Sequence, residues 1–134
     1  MRVQPALDFL AVGFGGAVGA MARYAVIHWF PRVWGGAPAA TLTVNLLGCG
    51  CIGLLIGFFD ADGSMSPRQE LLIRTGFLGG LTTYSAFAAD LHGLQRQGSW
   101  SAAAIYLLAH LALGMLALGL GVAIARPLTG WARG

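Results

Sequence analysis

Asn45, Thr82, Thr83, Tyr84, Ser85, Tyr106 and His110 all lie inside apolar stretches of a 134-residue chain, and Arg23 lies toward one end of another. Each can donate a hydrogen bond, and none carries a fixed negative charge. Polar groups in a hydrocarbon setting are costly and are usually aimed at a cavity or a partner. A donor set without carboxylates suits an anion. Asn45 offers two N–H donors and each hydroxyl offers one. The edges of aromatic rings carry partial positive charge and can add to them. On a helix, Tyr84 and Phe87 are three apart and share a face, so their edges could border a narrow passage; the alternative is that both are packed core aromatics.

The densest of these clusters is "FLGGLTTYSAFAADL", Phe77 to Leu91. Gly79 and Gly80 weaken a helix where "TTYSAF" begins, and in a bilayer any broken backbone must be satisfied by protein, water or an ion. A break would free carbonyls for a cation and leave half-helix ends facing an ion. A glycine pair that only lets two helices pack closely is the other reading of the same residues.

Four apolar runs must position these side chains, over about 9–30, 39–59, 71–91 and 102–125. Each matches the length of about 20 residues that spans a bilayer core as a helix. The expected fold is therefore an all-α membrane protein, residues 1–134 forming a single domain of four transmembrane helices with the third broken near its middle. Hydrophobic residues make up 57% of the chain, charged residues only 10%, and lysine is absent, which excludes an ordinary soluble domain. The connectors "PRVWGGAP", "DADGSMSPRQE" and "HGLQRQGSW" have loop chemistry. The first run is too long and too interrupted by Arg23 for a cleaved signal peptide and reads as a retained span. So little lies outside the spans that no soluble catalytic domain is expected, and the chain does not read as an enzyme.

The net charge of +3 comes from eight scattered arginines rather than a basic patch, so no nucleic-acid partner is expected. Arg2, Arg68 and Arg126 or Arg133 would fall on one side of the membrane, with Arg32 and Arg96 on the other. That imbalance is small, and arginine bias sets orientation, so the chain could insert both ways. Small-xxx-small pairs such as Gly15 with Gly19, Gly53 with Gly57 and Ala117 with Gly121 can join helices within a subunit or between subunits. Two halves of two spans cannot form an inverted repeat, so inverted symmetry would need two oppositely inserted chains. Cys49 and Cys51 point to different faces of one helix and read as small apolar residues, neither a bridge nor a metal pair.

"GGAVGAMARY" (Gly15 to Tyr24), "TLTVNLLG" (Thr41 to Gly48) and "TGFLGGLTTYSAF" (Thr75 to Phe87) occur in that order on three short spans. Together they resemble the Fluc/CrcB family of fluoride channels over nearly the whole chain. The resemblance implies an antiparallel, dual-topology homodimer in the bacterial inner (plasma) membrane, with two pores lined by both subunits and passive export of fluoride. It implies that Asn45 lines the pore, that Arg23 sits by an aqueous vestibule, and that Tyr84 and Phe87 present ring edges to the anion. Ser85 would lie beside the pore, with Tyr106 and His110 on a polar track of the fourth span. Backbone carbonyls of Gly79 and Thr82, from both subunits, would hold a structural sodium ion at the dimer interface.

This chain departs from the family pattern at three places. Tyr84 stands where Phe is usual, His110 and Gly114 stand where serines often continue the polar track, and Ala40 replaces a common glycine. A histidine there could donate to fluoride and make conduction depend on pH, or it could pack as a neutral ring. Fluoride is small and tightly hydrated, so a selective pore must replace its water with many close donors. Two other readings compete. A small four-span multidrug exporter would want a membrane-embedded glutamate in the first span, which is absent. A non-conducting accessory subunit would leave the polar set of Asn45, Thr82, Thr83 and Ser85 without a purpose.

Overall fold

The computed structural model describes residues 4–29, 36–60 and 65–131. Arg2, Arg32 and Arg133, part of the arginine pattern above, lie outside the described residues. Everything regular among the described residues is helical. Helix α1 is Pro5–Trp29 and α2 is Ala37–Leu55, which runs on through a π-helical turn, Ile56–Asp60. Helix α3 covers 67–81: an α-helical start (Pro67–Glu70), a π-helical middle (Leu71–Leu78) and an α-helical end (Gly79–Leu81). Helix α4 is Tyr84–Arg96 and α5 is Trp100–Trp131. Three stretches, Pro5–Trp29, Ala37–Phe59 and Trp100–Pro127, are each long and apolar enough to cross a membrane.

Local sequence accounts for the helix ends. Ser66 opens α3 with a reciprocal cap: its hydroxyl accepts from Gln69 N–H at 3.3 Å, and its own N–H donates to Gln69 Oε1 at 2.9 Å, with Pro67 in the first turn. Helix α4 stops because Gly98 adopts φ +73°, a left-handed conformation that glycine reaches without a Cβ clash. Gly98 N–H then donates to the Gln95 carbonyl at 2.9 Å and Ser99 N–H to that of Leu94 at 3.0 Å, which turns the chain into α5.

The helices pack as two close pairs, α1 with α3 and α2 with α5, and α4 lies against α5 and α2. Lipid tails are as apolar as leucine, so association in a bilayer depends on backbones approaching closely through small residues. A Cβ on Gly15 would fall on the Leu72 carbonyl oxygen, one on Gly19 on that of Phe77, and one on Gly80 on that of Gly16. On the other pair, Gly53 lies against the Leu118 carbonyl and Gly121 against that of Gly50. The expected glycine contacts thus join helices within one subunit. Val44, Leu78 and Leu81 form a buried cluster between the two pairs, with Val26, Ile52 and Phe77 packed on it.

The rest of the apolar surface faces outward. Phe9, Phe14, Leu108 and Met115 are exposed, as are Tyr24 and Leu116. So many exposed large apolar side chains need lipid or a partner around them.

Gly79 and Gly80 are not where the third run changes direction. Gly79 is helical, with φ −64° and ψ −36°, and Gly80 serves the close approach to α1. The extended residues are Thr82 (φ −81°, ψ 156°) and Thr83 (φ −152°, ψ 116°), between the end of α3 and the start of α4. Glycine weakens a helix without requiring it to stop; the stop comes from side-chain bonds to the two threonines.

Candidate functional site

Thr82 and Thr83 form the floor of an open groove of about 400 Å³. Asn45 of α2, Tyr84 and Phe87 of α4, and His110 of α5 also line it. Among the residues the sequence singles out, Asn45, Thr82, Thr83, Tyr84, Phe87 and His110 therefore meet at one place, although they are up to 65 residues apart in the chain.

Asn45 holds the extended segment in place. Its Oδ1 accepts from Thr83 N–H at 2.8 Å, and its Nδ2 donates to the Thr83 carbonyl at 3.1 Å. That pairing fixes the orientation of the carboxamide, because a backbone N–H needs the oxygen and a carbonyl needs the nitrogen. In an unbroken helix Thr83 N–H would close on the Gly79 carbonyl; diverted to Asn45, it releases that oxygen. The preceding turn is closed by Thr82, whose N–H donates to the Leu78 carbonyl at 3.0 Å and whose hydroxyl donates to the same oxygen at 2.9 Å.

Thr83 also starts the next helix. Its Oγ1 accepts from Ala86 N–H at 3.1 Å, a side-chain N-cap, and lies 3.1 Å from Ser85 Oγ. Ser85 itself is exposed. Arg23 reaches the same segment from α1, its Nη1 donating to the Thr82 carbonyl at 3.4 Å. Both carbonyls of the extended pair thus accept from nitrogen donors brought by other helices.

The aromatic side chains form a graded stack. Tyr84 is 81% exposed at the rim, whereas Phe87 is only 7% exposed. Their ring centroids are 5.6 Å apart and tilted by 50°. Phe87 in turn lies 4.4 Å from the His110 ring and 5.6 Å from Tyr106. Tyr106 does not line the groove; it backs Phe87 and His110, and its hydroxyl donates to Asp90 Oδ2 at 3.1 Å.

The family described as "CrcB-like protein, Camphor Resistance (CrcB)" matches residues 10–122. A "Fluoride-specific ion channel FluC" of Chlorobium chlorochromatii is 40% identical over 128 residues, which is 96% of this chain and 99% of that one. One of Rhizobium johnstonii is 42% identical over 123 residues, 91% and 98% of the two chains. A third, of Roseiflexus sp., is 37% identical over 123 residues, 91% and 99%. The chain belongs to the CrcB family.

In this CrcB chain the described residues of the groove walls include no carboxylate, and their polar groups are an amide, hydroxyls, the Cys49 thiol and one imidazole. Sequence reasoning missed two of the contacts that build the site. Asn45 appears in the sequence as a free pair of donors, yet one N–H and the carbonyl oxygen are committed to Thr83. Asp90, near the end of the stretch Phe77 to Leu91, is half-buried and anchors Tyr106. The spacing of Asp90 from the apolar core of its run carried no signal, because its partner lies 16 residues away on another helix.

Proposed function

We propose that this chain is the subunit of a fluoride-selective ion channel, through which fluoride leaves the cell passively across the cytoplasmic membrane and its toxicity is relieved. The observation that carries this reading is the groove at Thr82–Thr83, lined by the Asn45 amide, the Tyr84 hydroxyl and the Phe87 ring, with no carboxylate among the described residues of its walls. The relatives' printed function supports it.

Asn45 keeps one N–H beyond its bond to Thr83, and this hydrogen is the amide's contribution to the anion. Ser85, Tyr84 and His110 supply further polar contact, Phe87 supplies a ring edge, and Tyr106 holds that ring. Arg23 raises the local anion concentration at the vestibule by its field. Helices α3 and α4 are, in this reading, one membrane span interrupted at Thr82–Thr83, the fourth span alongside the three long ones.

The functional unit is an antiparallel homodimer of chains inserted both ways in a bacterial inner membrane. The open groove, the exposed Tyr84 at its rim and the outward apolar side chains support a second copy closing the site. A structural sodium ion at the dimer interface fits the donor chemistry here. Backbone carbonyl oxygens are hard ligands suited to such a cation, the Gly79 carbonyl is released by the Thr83–Asn45 bond, and the Thr82 carbonyl would join it by giving up its long 3.4 Å bond from Arg23. Two carbonyls are too few to complete a cation shell, so the partner copy supplies the others. Among the described residues no cluster of three or more His, Cys, Asp or Glu side chains offers an alternative metal site.

Expression in bacteria stripped of their own fluoride export tests the function. Growth in fluoride-containing medium should return with this chain and not with its Phe87→Ile variant; equal fluoride sensitivity with and without the chain contradicts the proposal.

A further inference from the structure

The first turns of α1 and α3 lie at the same end of the molecule. The two helices run parallel, since Gly15 meets Leu72 and Gly19 meets Phe77. Two ion pairs sit at this end, Asp8 with Arg68 and Glu70 with Arg74. Charged side chains are costly in the hydrocarbon core of a bilayer, so this end of the helix pair stands at the level of the lipid headgroups.

An open cleft of about 490 Å³ runs between α1 and α3 here. Its floor is apolar: Leu7, Ala11 and Phe14 recur at i, i+4 and i+7 on one face of α1, and Leu72 comes from α3. That stripe extends about 10 Å along the helix axis, at about 1.5 Å per residue. The mouth is polar. Ser66 and Gln69 line it but are committed to each other by the reciprocal cap, which leaves the guanidinium of Arg68 as the donor group. Arg68 Nε donates to Asp8 Oδ1 at 3.3 Å, and this bond uses one of the five N–H donors that an arginine carries. Both side chains of the pair remain partly exposed. A cation and an anion thus stand side by side above an apolar trough.

We propose that this cleft seats one zwitterionic phospholipid with a primary-ammonium headgroup, phosphatidylethanolamine. An acyl chain lies along Leu7, Ala11 and Phe14, the phosphate meets the Arg68 guanidinium, and the ammonium meets the Asp8 carboxylate. A guanidinium matches a phosphate by paired N–H donors, and a carboxylate accepts from the three N–H groups of a primary ammonium. The trimethylammonium of phosphatidylcholine has no N–H, and phosphatidylglycerol has no cation for Asp8, so both halves of the ion pair select the headgroup. The inference depends on the chain lying in a membrane and not on what it conducts.

Native mass spectrometry of the detergent-solubilised protein tests this, with phosphatidylethanolamine, phosphatidylcholine and phosphatidylglycerol carrying the same dioleoyl chains. The unsubstituted protein should bind one phosphatidylethanolamine about tenfold more tightly than either other lipid. Arg68→Gln should weaken that binding about tenfold, and Asp8→Asn should erase the preference over phosphatidylcholine. Exposed ion pairs add little to folding stability, so both variants keep the fold. Ala11→Phe leaves the two charges in place and fills the trough, and it should also abolish binding. Equal binding of the three lipids by the unsubstituted protein, a preference for either of the others, or unweakened binding in Arg68→Gln or Ala11→Phe overturns the proposal.

Discussion

Asn45 grips Thr83 by both ends of one peptide residue, accepting from its N–H at 2.8 Å and donating to its carbonyl at 3.1 Å across 38 positions of sequence. The pair substitutes for helical hydrogen bonds that the extended backbone gives up. Asn45 also lines the groove.

Asn45→Ala should therefore be damaging twice. It removes both partners from Thr83, which is 7% exposed, and each buried backbone group left unpaired costs about 1–3 kcal/mol. We expect a lower thermal transition in detergent and loss of fluoride current. Asn45→Asp keeps the acceptor for Thr83 N–H but faces the carbonyl with a second oxygen, and it should also abolish current. Fluoride current at the unsubstituted level in either variant contradicts this role.

Phe87→Ile separates packing from conduction. Isoleucine retains most of the apolar volume but loses the ring contacts to Tyr84, Tyr106 and His110, together worth on the order of 1 kcal/mol. The protein should keep its oligomeric state on size-exclusion chromatography while fluoride flux falls by at least about tenfold, equivalent to about 1.4 kcal/mol at the barrier. Unchanged flux in a folded variant removes Phe87 from the conduction path.

The four apolar runs made the helical class legible, and the residues that meet at the groove were legible from their chemistry. The extended pair Thr82–Thr83 opens "TTYSAF", where the sequence put the weak point, but what holds it there was not legible. Gly79 and Gly80 are, with Gly76, the weakest helix formers in their run, but Gly80 is used for contact with Gly16, and the helix stops where Asn45 can satisfy Thr83. Helix weakness is local, whereas the partner that stabilises an extended residue lies on another helix. The Tyr106–Asp90 bond escaped notice for the same reason. The π-helical middle of α3 has no periodic signature that a short apolar run could display.

Two glycine substitutions should behave oppositely. In Gly80→Ala the new methyl meets the Gly16 carbonyl and lies 3.1 Å from Ala20 N, so backbone must shift; overpacking of this kind costs about 1–3 kcal/mol. Gly93 lies inside α4, and a methyl added there would have nothing within 4 Å, so Gly93→Ala should leave stability unchanged or raise it by up to about 1 kcal/mol. Thermal unfolding in the same detergent compares them, and similar shifts for both contradict the packing of α1 on α3.

The most direct test of the central claim is anion efflux from liposomes containing the purified protein, loaded with fluoride or chloride and electrically shunted by potassium and valinomycin. Ion-selective electrodes should record rapid fluoride loss with chloride retained. Retention of both anions by vesicles carrying the folded protein, or equal loss of both, would contradict a fluoride-selective channel.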